Sequence, residues 1–371
     1  MKILIAPDKF KGTLSAAEVA EAMAEGVRKA DPGFDVELMP LADGGEGTAK
    51  ILTKADQGVV HSLRAMDPMF RMVSCEYGIG FEEDIAFIDI AEASGLHRLT
   101  KSEYNPMRTT SLGTGEMAAA AMRARCKKIV IGLGGSATMD AGIGIMHGMG
   151  FRFRDQNRQM LSPIGSNLGR IAFIDNAHLH PRIPITKMVL LADVDNPLLG
   201  PEGALLYGAQ KGLVPTQQSQ IETGLSHFTQ LVDQRYGGQS AQPGMGAAGG
   251  AAFACQALMG AKIENGAQYV LKALDFKGAM READLVLTGE GRLDSTTLRG
   301  KVVAAVAAAC APRKVPVFAV AATVDLGLEA LQKLGLTQVK ALYEEVPTFE
   351  INNNTHLDNI SQTVTEMLKN R

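Results

Sequence analysis

Five short segments of this chain gather glycine, aspartate, lysine and serine directly after short apolar runs. The first is Ala6-Pro-Asp-Lys-Phe-Lys-Gly-Thr13, which sets Asp8, Lys9 and Lys11 just ahead of a helix start. Ammonium groups and a helix dipole both attract an anion there; a solvated turn is the competing explanation. The second, Ala42-Asp-Gly-Gly-Glu-Gly-Thr48, contains Gly44 and Gly45. Their consecutive amides can converge on an anion as a nest, and Asp43 and Glu46 could hold a metal or a hydroxyl. A tight turn that needs positive φ explains the same glycines.

The third segment, Gly132-Leu-Gly-Gly-Ser-Ala-Thr138, follows an apolar strand and places Gly134, Gly135 and Ser136 in one loop. It fits the Gly-x-Gly-x-x-Ala dinucleotide fingerprint, with Asp155 about 20 residues on, so a nicotinamide-dependent dehydrogenase is a rival reading. Against it, the stretch 138–150 that would form the following helix holds four glycines, which is poor for a packing helix. Ser136 and Thr138 add hydroxyls suited to phosphate oxygens. The fourth segment ends a buried strand with Asp193 and Asp195, which alternation sends to opposite faces. One could face a cleft as a base while the other caps the turn with Asn196 and Pro197.

In the fifth, Thr288-Gly-Glu-Gly-Arg-Leu-Asp-Ser295, Gly289 and Gly291 open the backbone. Glu290 and Asp294 offer hard oxygens to Mg2+, and Arg292 and Lys301 can pair with phosphate or carboxylate. Gly300-Lys301 is no Walker A, because Val302 stands in the Ser/Thr place. A sixth segment, Pro243-Gly-Met-Gly-Ala-Ala-Gly-Gly250, is explained as well by close backbone approach as by a ligand. His178 and His180 flank one residue in an irregular stretch, and surface histidines explain them better than a metal does.

The elements that must hold these loops alternate between strand and helix. Residues 2–6 form a short apolar strand, and Ser15-Ala-Ala-Glu18 is a capping box opening a helix with Val19, Met23 and Val27 on one face. Strands follow at 35–39, 59–63, 71–77, 85–90, 128–131 and 187–191, then at 284–287, 315–320 and 339–343. Helices are expected at 46–54, 116–125, 216–235, 248–259, 298–311, 328–334 and 355–369. This alternation argues for parallel α/β sheets. The two ends of the chain look alike and the middle does not. The expectation is a discontinuous flavodoxin- or Rossmann-like α/β domain over 1–65 and 283–371, built on a parallel sheet. A central α/β domain with a mixed sheet is inserted at 66–282.

Length and composition agree. At 371 residues the chain has room for two domains. Thirty-seven Lys and Arg against 40 Asp and Glu leave no basic excess for a nucleic-acid backbone. The four cysteines form no CxxC pair, which fits a reducing, cytoplasmic compartment rather than a disulfide framework or zinc knuckle. The longest apolar run, 302–311, is far too short to span a bilayer. A homo-oligomer is compatible with the sequence.

Taken together in order, the six segments resemble the bacterial glycerate kinase family, the kind distinct from sugar-kinase-like enzymes. The resemblance runs nearly end to end, although Lys9 stands where many relatives carry serine and Ala192 where cysteine is common. It implies two α/β domains, one of them flavodoxin-like, and ATP-dependent phosphorylation of D-glycerate with Mg2+, 2-phosphoglycerate being the favoured product. Carried onto this chain, it makes Asp193 the first choice for general base and Asp195 the second, with Lys11 assisting. Gly134, Gly135, Ser136, Gly289, Glu290, Gly291 and Lys301 would hold the nucleotide. Asp8, Asp43, Gly44, Gly45 and Arg292 would hold glycerate, and Glu46 and Asp294 the metal. A non-catalytic small-molecule binding protein is the remaining alternative.

Overall fold

The computed structural model describes residues 1–81, 84–344 and 352–369. The chain separates into two compact units: Met1–Asp43 with Asn265–Arg371, and Gly44–Glu264. In chain order the strands among the described residues are β1 (Lys2–Ile5), β2 (Asp35–Leu38), β3 (Val59–Met66), β4 (Met72–Ile79), β5 (Ile85–Asp89), β6 (Lys128–Gly132), β7 (Arg152–Arg154), β8 (Phe173–Asp175), β9 (Lys187–Ala192), β10 (Lys262–Asn265), β11 (Leu285–Leu293), β12 (Val317–Val324) and β13 (Gln338–Ala341).

The first unit carries a five-stranded sheet in the order β13-β12-β11-β1-β2, and every pairing in it is parallel. The two chain ends therefore build one sheet. The inner strands β1 and β12 and the start of β11 are short apolar runs because both faces are covered, whereas the edge strands β2 and β13 carry charged and polar residues. Helix Ala16–Ala30 covers one face and starts where expected. The Ser15 amide donates to Glu18 Oε2 at 2.8 Å, and the Glu18 amide donates back to Ser15 Oγ at 3.3 Å. Val19, Met23 and Val27 are fully buried beneath it. Helix Asn353–Lys369 crosses it closely at Gly26, where a Cβ would stand 2.4 Å from the Ser361 carbonyl oxygen.

The second unit carries a six-stranded sheet in the order β10-β9-β6-β5-β4-β3. Strands β5, β6 and β9 run parallel, and β3 and β4 form an antiparallel hairpin beside them, so the sheet is mixed. Strands β7 and β8 make a separate antiparallel ribbon. Among the described residues no helix is long and apolar enough to cross a membrane. All four cysteines are buried thiols.

The breaks between units fall at 43/44 and 264/265, whereas the sequence places them at 65/66 and 282/283. The reason at the first break is hydrogen bonding. Strand β3 pairs residue for residue with β4, from Val59 with Ile79 to Met66 with Met72, and so joins the second sheet. Helix Thr48–Ala55 follows it, because Gly78 of β4 lies so close to Thr53 that a Cβ there would overlap the threonine side chain. At the second break, helices Gly266–Ala273 and Phe276–Arg281 go with the first unit.

Candidate active site

In the second unit the chemistry-bearing loops leave the carboxyl ends of three neighbouring parallel strands, the usual ligand edge of an α/β sheet. Strand β5 ends in Asp89, β6 runs into Gly132–Thr138, and β9 runs into Asp193. Gly44 and Gly45 are packed backbone to backbone on the second of these. Gly134 donates its amide to the Gly44 carbonyl at 3.1 Å, and Leu133 donates to Leu191 at 3.0 Å. A Cβ on Gly134 would stand 2.6 Å from Gly45 Cα, and one on Gly132 would stand 2.7 Å from the Gly44 oxygen. These glycines are there because two main chains must touch. Gly44, Gly45, Gly134, Gly135 and Ser136 are thus brought into one small region.

Not every expected donor is open to a ligand. Asp89 accepts from the amides of Gly47 at 2.8 Å and Ala49 at 2.9 Å, filling the start of helix Thr48–Ala55 with the protein's own carboxylate. Glu46 beside it is exposed. Asp193 is half-buried and Asp195 exposed, and both lie beyond the last residue of β9, Ala192, so strand alternation does not set their directions. Asn196 is buried, with Tyr207 Oη donating to its Oδ1 at 3.0 Å and its own Nδ2 donating to the Glu202 carbonyl at 2.6 Å.

The sixth segment acts by close packing. Ala248, Gly249 and Gly250 take left-handed φ of 53°, 66° and 87° inside helix Ala247–Met259. A Cβ on Gly249 would lie 2.1 Å from the Thr138 oxygen, and one on Gly246 would lie 2.4 Å from the Pro197 oxygen. This left-handed turn is the surface against which the third and fourth loops are set.

The dinucleotide fingerprint does not form the unit it needs. The helix after Gly132–Ala137 is only Ile143–Gly148, and Asp155 follows β7, which pairs antiparallel with β8 in the separate ribbon. Asp155 is therefore not carried on a strand parallel to β6. Asp140, in the gap, is fully buried and accepts from Ser111 N, Ser111 Oγ and the amides of Gly142 and Gly144, so it is a structural anchor.

In the first unit the corresponding edge is charged. Strand β11 continues to Leu293 beyond its last pairing with β1 at Leu287, and the Ala6–Thr13 loop lies alongside it. Asp8 donates its amide to the Gly289 carbonyl at 2.8 Å. A Cβ on Gly291 would come within 3.3 Å of the Lys11 amide, so that glycine admits the loop. Gly289 has a different reason: a Cβ there would meet the Val320 oxygen at 2.3 Å. Asp8 and Glu290 are both buried. Burial, then the nearby Asp43, hold the Asp8 carboxyl well above its ordinary range, with Lys9 opposing them. Burial likewise pushes Glu290 up to about 7, against the Thr297 hydroxyl and Lys301, while Asp43 and Asp294 add to the rise. Thr297 donates to Glu290 Oε1, and the buried Oε2 has no hydrogen-bond partner.

Lys9 sits 3.7 Å from Asp43, and Lys11 is exposed. Burial raises the Asp294 carboxyl, but the Thr296 hydroxyl and amide, Lys301 and Arg292 outweigh it and the net shift is downward. Arg292 is committed to Asp325, with Nε donating to Oδ2 at 2.6 Å on a half-exposed surface. Glu46 and Asp294 belong to different units. Among the described residues no three His, Cys, Asp or Glu side chains gather into a metal cage. A Mg2+ ion is usually held by one or two carboxylates and the substrate's phosphates. Glu290 Oε2, buried without a partner, is an oxygen of the kind such a cation takes.

Two residues were missed by sequence reasoning. Asp89 ends an apolar run and carries no motif. Lys211 is buried and donates to Ser136 Oγ and to the Thr138 carbonyl, each at 2.8 Å. Its one signal is Gly208-Ala-Gln-Lys-Gly212, a lysine bracketed by glycines in a polar stretch.

Comparison with known proteins agrees with this architecture. Residues 3–370 match the family model described as the glycerate kinase family. A glycerate kinase of Bacillus subtilis (strain 168) is 38% identical over 349 residues, covering 94% of this chain and 91% of that protein. A glycerate 2-kinase of Escherichia coli (strain K12) is 34% identical over 352 residues, covering 94% and 92%. A crystal structure ascribed to a glycerate kinase 2 of Salmonella typhimurium LT2 superposes with a TM-score of 0.84 at 35% identity, covering 100% of this chain and 98% of that one.

Proposed function

Because this chain belongs to the glycerate kinase family and is a kinase, we propose that it transfers the γ-phosphoryl group of ATP to D-glycerate and releases 2-phosphoglycerate. The 2-position rests on the similarity to the Escherichia coli glycerate 2-kinase. Phosphoryl transfer asks a protein mainly for positioning and for charge placed where charge develops. The observation that carries the reading is the junction of Gly44–Gly45 with Gly132–Ser136 at the carboxyl ends of β6 and β9. It gathers a glycine-rich loop and a serine at the strand edge from which the half-buried Asp193 also follows.

In this scheme Asp193 accepts the proton of the attacking glycerate hydroxyl, and Asp195 is the second choice. Gly134, Gly135 and Ser136 meet the nucleotide phosphates, with the Ser136 hydroxyl as a donor, while the Gly134 amide is held by the Gly44 carbonyl. Gly289, Glu290, Gly291 and Lys301 are the other expected nucleotide residues. Asp8 and Asp43 position the glycerate hydroxyls, and Arg292 or Lys11 takes its carboxylate. Glu46 and Asp294 are the expected ligands of Mg2+, with Glu290 Oε2 available to it. When bound, Mg2+ would neutralise phosphate charge. A cytoplasmic site of action fits the buried, reduced cysteines.

The test is ADP release coupled to a reporter, with D-glycerate, ATP and Mg2+ present and the product identified by phosphorus NMR. Turnover with a 2-phosphate resonance is expected. Folded protein that releases no ADP above background overturns the reading, and a 3-phosphate resonance corrects the regiochemistry.

A further inference from the structure

Lys211 lies in a segment fixed at both ends. Upstream, Tyr207 Oη donates to Asn196 Oδ1 at 3.0 Å, which ties the segment to the loop after β9. Downstream, Gly212 has φ of 84°, and a Cβ there would stand 2.2 Å from the Tyr104 oxygen. The lysine is held only 6% exposed, with Nζ on Ser136 Oγ and on the Thr138 carbonyl. Burying an ammonium and freezing its four-carbon stem is costly. A methionine would fill the same space at lower cost, so stability alone does not account for a lysine here.

The hydrogen-bond chemistry is one-directional. An ammonium has three donors and no acceptor. In the contact with Lys211, Ser136 Oγ must therefore be the acceptor, and its own proton is turned elsewhere. The lysine also brings positive charge to the glycine-rich Gly132–Thr138 loop.

We propose that Lys211 is a positioning residue: its ammonium fixes the Ser136 hydroxyl as a donor, so that the Gly132–Thr138 loop grips an anionic oxygen of a substrate. The oxygen belongs to a nucleotide phosphate or to the glycerate carboxylate. The choice of those two sources rests on the glycerate kinase reading, whereas the anion grip does not.

The experiment compares wild type with Lys211→Met, Lys211→Arg, Ser136→Ala and the Lys211→Met/Ser136→Ala double variant, each checked for cooperative unfolding. Equilibrium affinity for ATPγS and for D-glycerate is measured by calorimetry, independently of turnover, and KM for ATP and for D-glycerate is measured separately. Lys211→Met should weaken one ligand about 10- to 100-fold, the range expected for losing a charge-assisted hydrogen bond. Lys211→Arg should recover part of it. Adding Lys211→Met to Ser136→Ala should change affinity less than about threefold, because the lysine acts through the serine. The ligand whose affinity moves identifies the oxygen.

Folded Lys211→Met that binds both ligands like wild type overturns the proposal, as do single effects that simply multiply in the double variant. Should Lys211→Met fail to fold, Ser136→Ala carries the test, and unchanged binding by that variant overturns it. Wild type that binds ATPγS through Lys211 yet never phosphorylates D-glycerate would defeat the proposed function and leave this inference standing.

Discussion

The two units solve the same problem with different materials. Each sets loops at the carboxyl edge of parallel strands. The second unit builds its edge from main chain, with Gly44 and Gly45 against Gly132 and Gly134 and one buried lysine holding the loop. The first unit builds its edge from carboxylates, Asp8 and Glu290, buried beside Asp43. One edge is accurate because atoms touch. The other holds titratable groups in surroundings that disfavour their charged forms. A steric device fails by distortion, whereas an electrostatic device stores free energy that a ligand or a proton can release.

That contrast can be broken by substitution. The largest effect is expected at Asp193, where Asp193→Asn should lower kcat by at least about 100-fold with unfolding unchanged. Near-normal kcat would remove Asp193 from the mechanism and shift attention to Asp195.

Next comes Glu290. Its folded-state pKa of about 7 stands above the ordinary 4.5, so the folded protein holds this proton more tightly than the unfolded chain does. The folded state is favoured while the group is protonated, and stability is lost as pH rises from about 4.5 through 7, by about 3 kcal/mol in all. Glu290→Gln should therefore raise Tm above wild type near pH 8, with the gain shrinking toward pH 5. A gain independent of pH would mean that the carboxylate is not under this strain.

The steric edge is probed by Gly134→Ala, whose methyl would press on Gly45 Cα at 2.6 Å. A loss of about 2 kcal/mol and a weakened nucleotide KM are expected. Gly12→Ala, with φ of 82° and nothing within 4 Å, is the control and should cost only about 1 kcal/mol of backbone strain. Equal losses at both would show that conformation, not contact, sets the second unit's glycines. The smallest effect is Arg292→Ala. Its partner Asp325 is half-exposed, so stability should change by less than about 1 kcal/mol. A KM for D-glycerate within threefold of wild type would retire Arg292 as its carboxylate ligand.

Much of this was legible in the residues. The capping box at Ser15 and Glu18 and the helix face of Val19, Met23 and Val27 are local, and local rules placed them. The six glycine- and charge-rich segments named the family, because their order along one chain is hard to reach by chance. The parallel first sheet followed from strand and helix alternation, and the second sheet is mixed, as expected for the central domain.

What the tertiary structure decided is which groups meet, because no local pattern encodes contacts between distant segments. Strand β3 reads like any short strand, and only its register with β4 assigns it to the second unit. Gly289 and Gly134 look alike in sequence, yet one yields to the Val320 backbone and the other to Gly45. Asp89 fills a helix start 40 residues earlier in the chain. Lys211 reaches a serine 75 residues away. Sequence alone determined the kinds of group present and the strands that carry them. Folding determined which carboxylates are buried together and which glycines are walls, since burial and contact are properties of the packed chain.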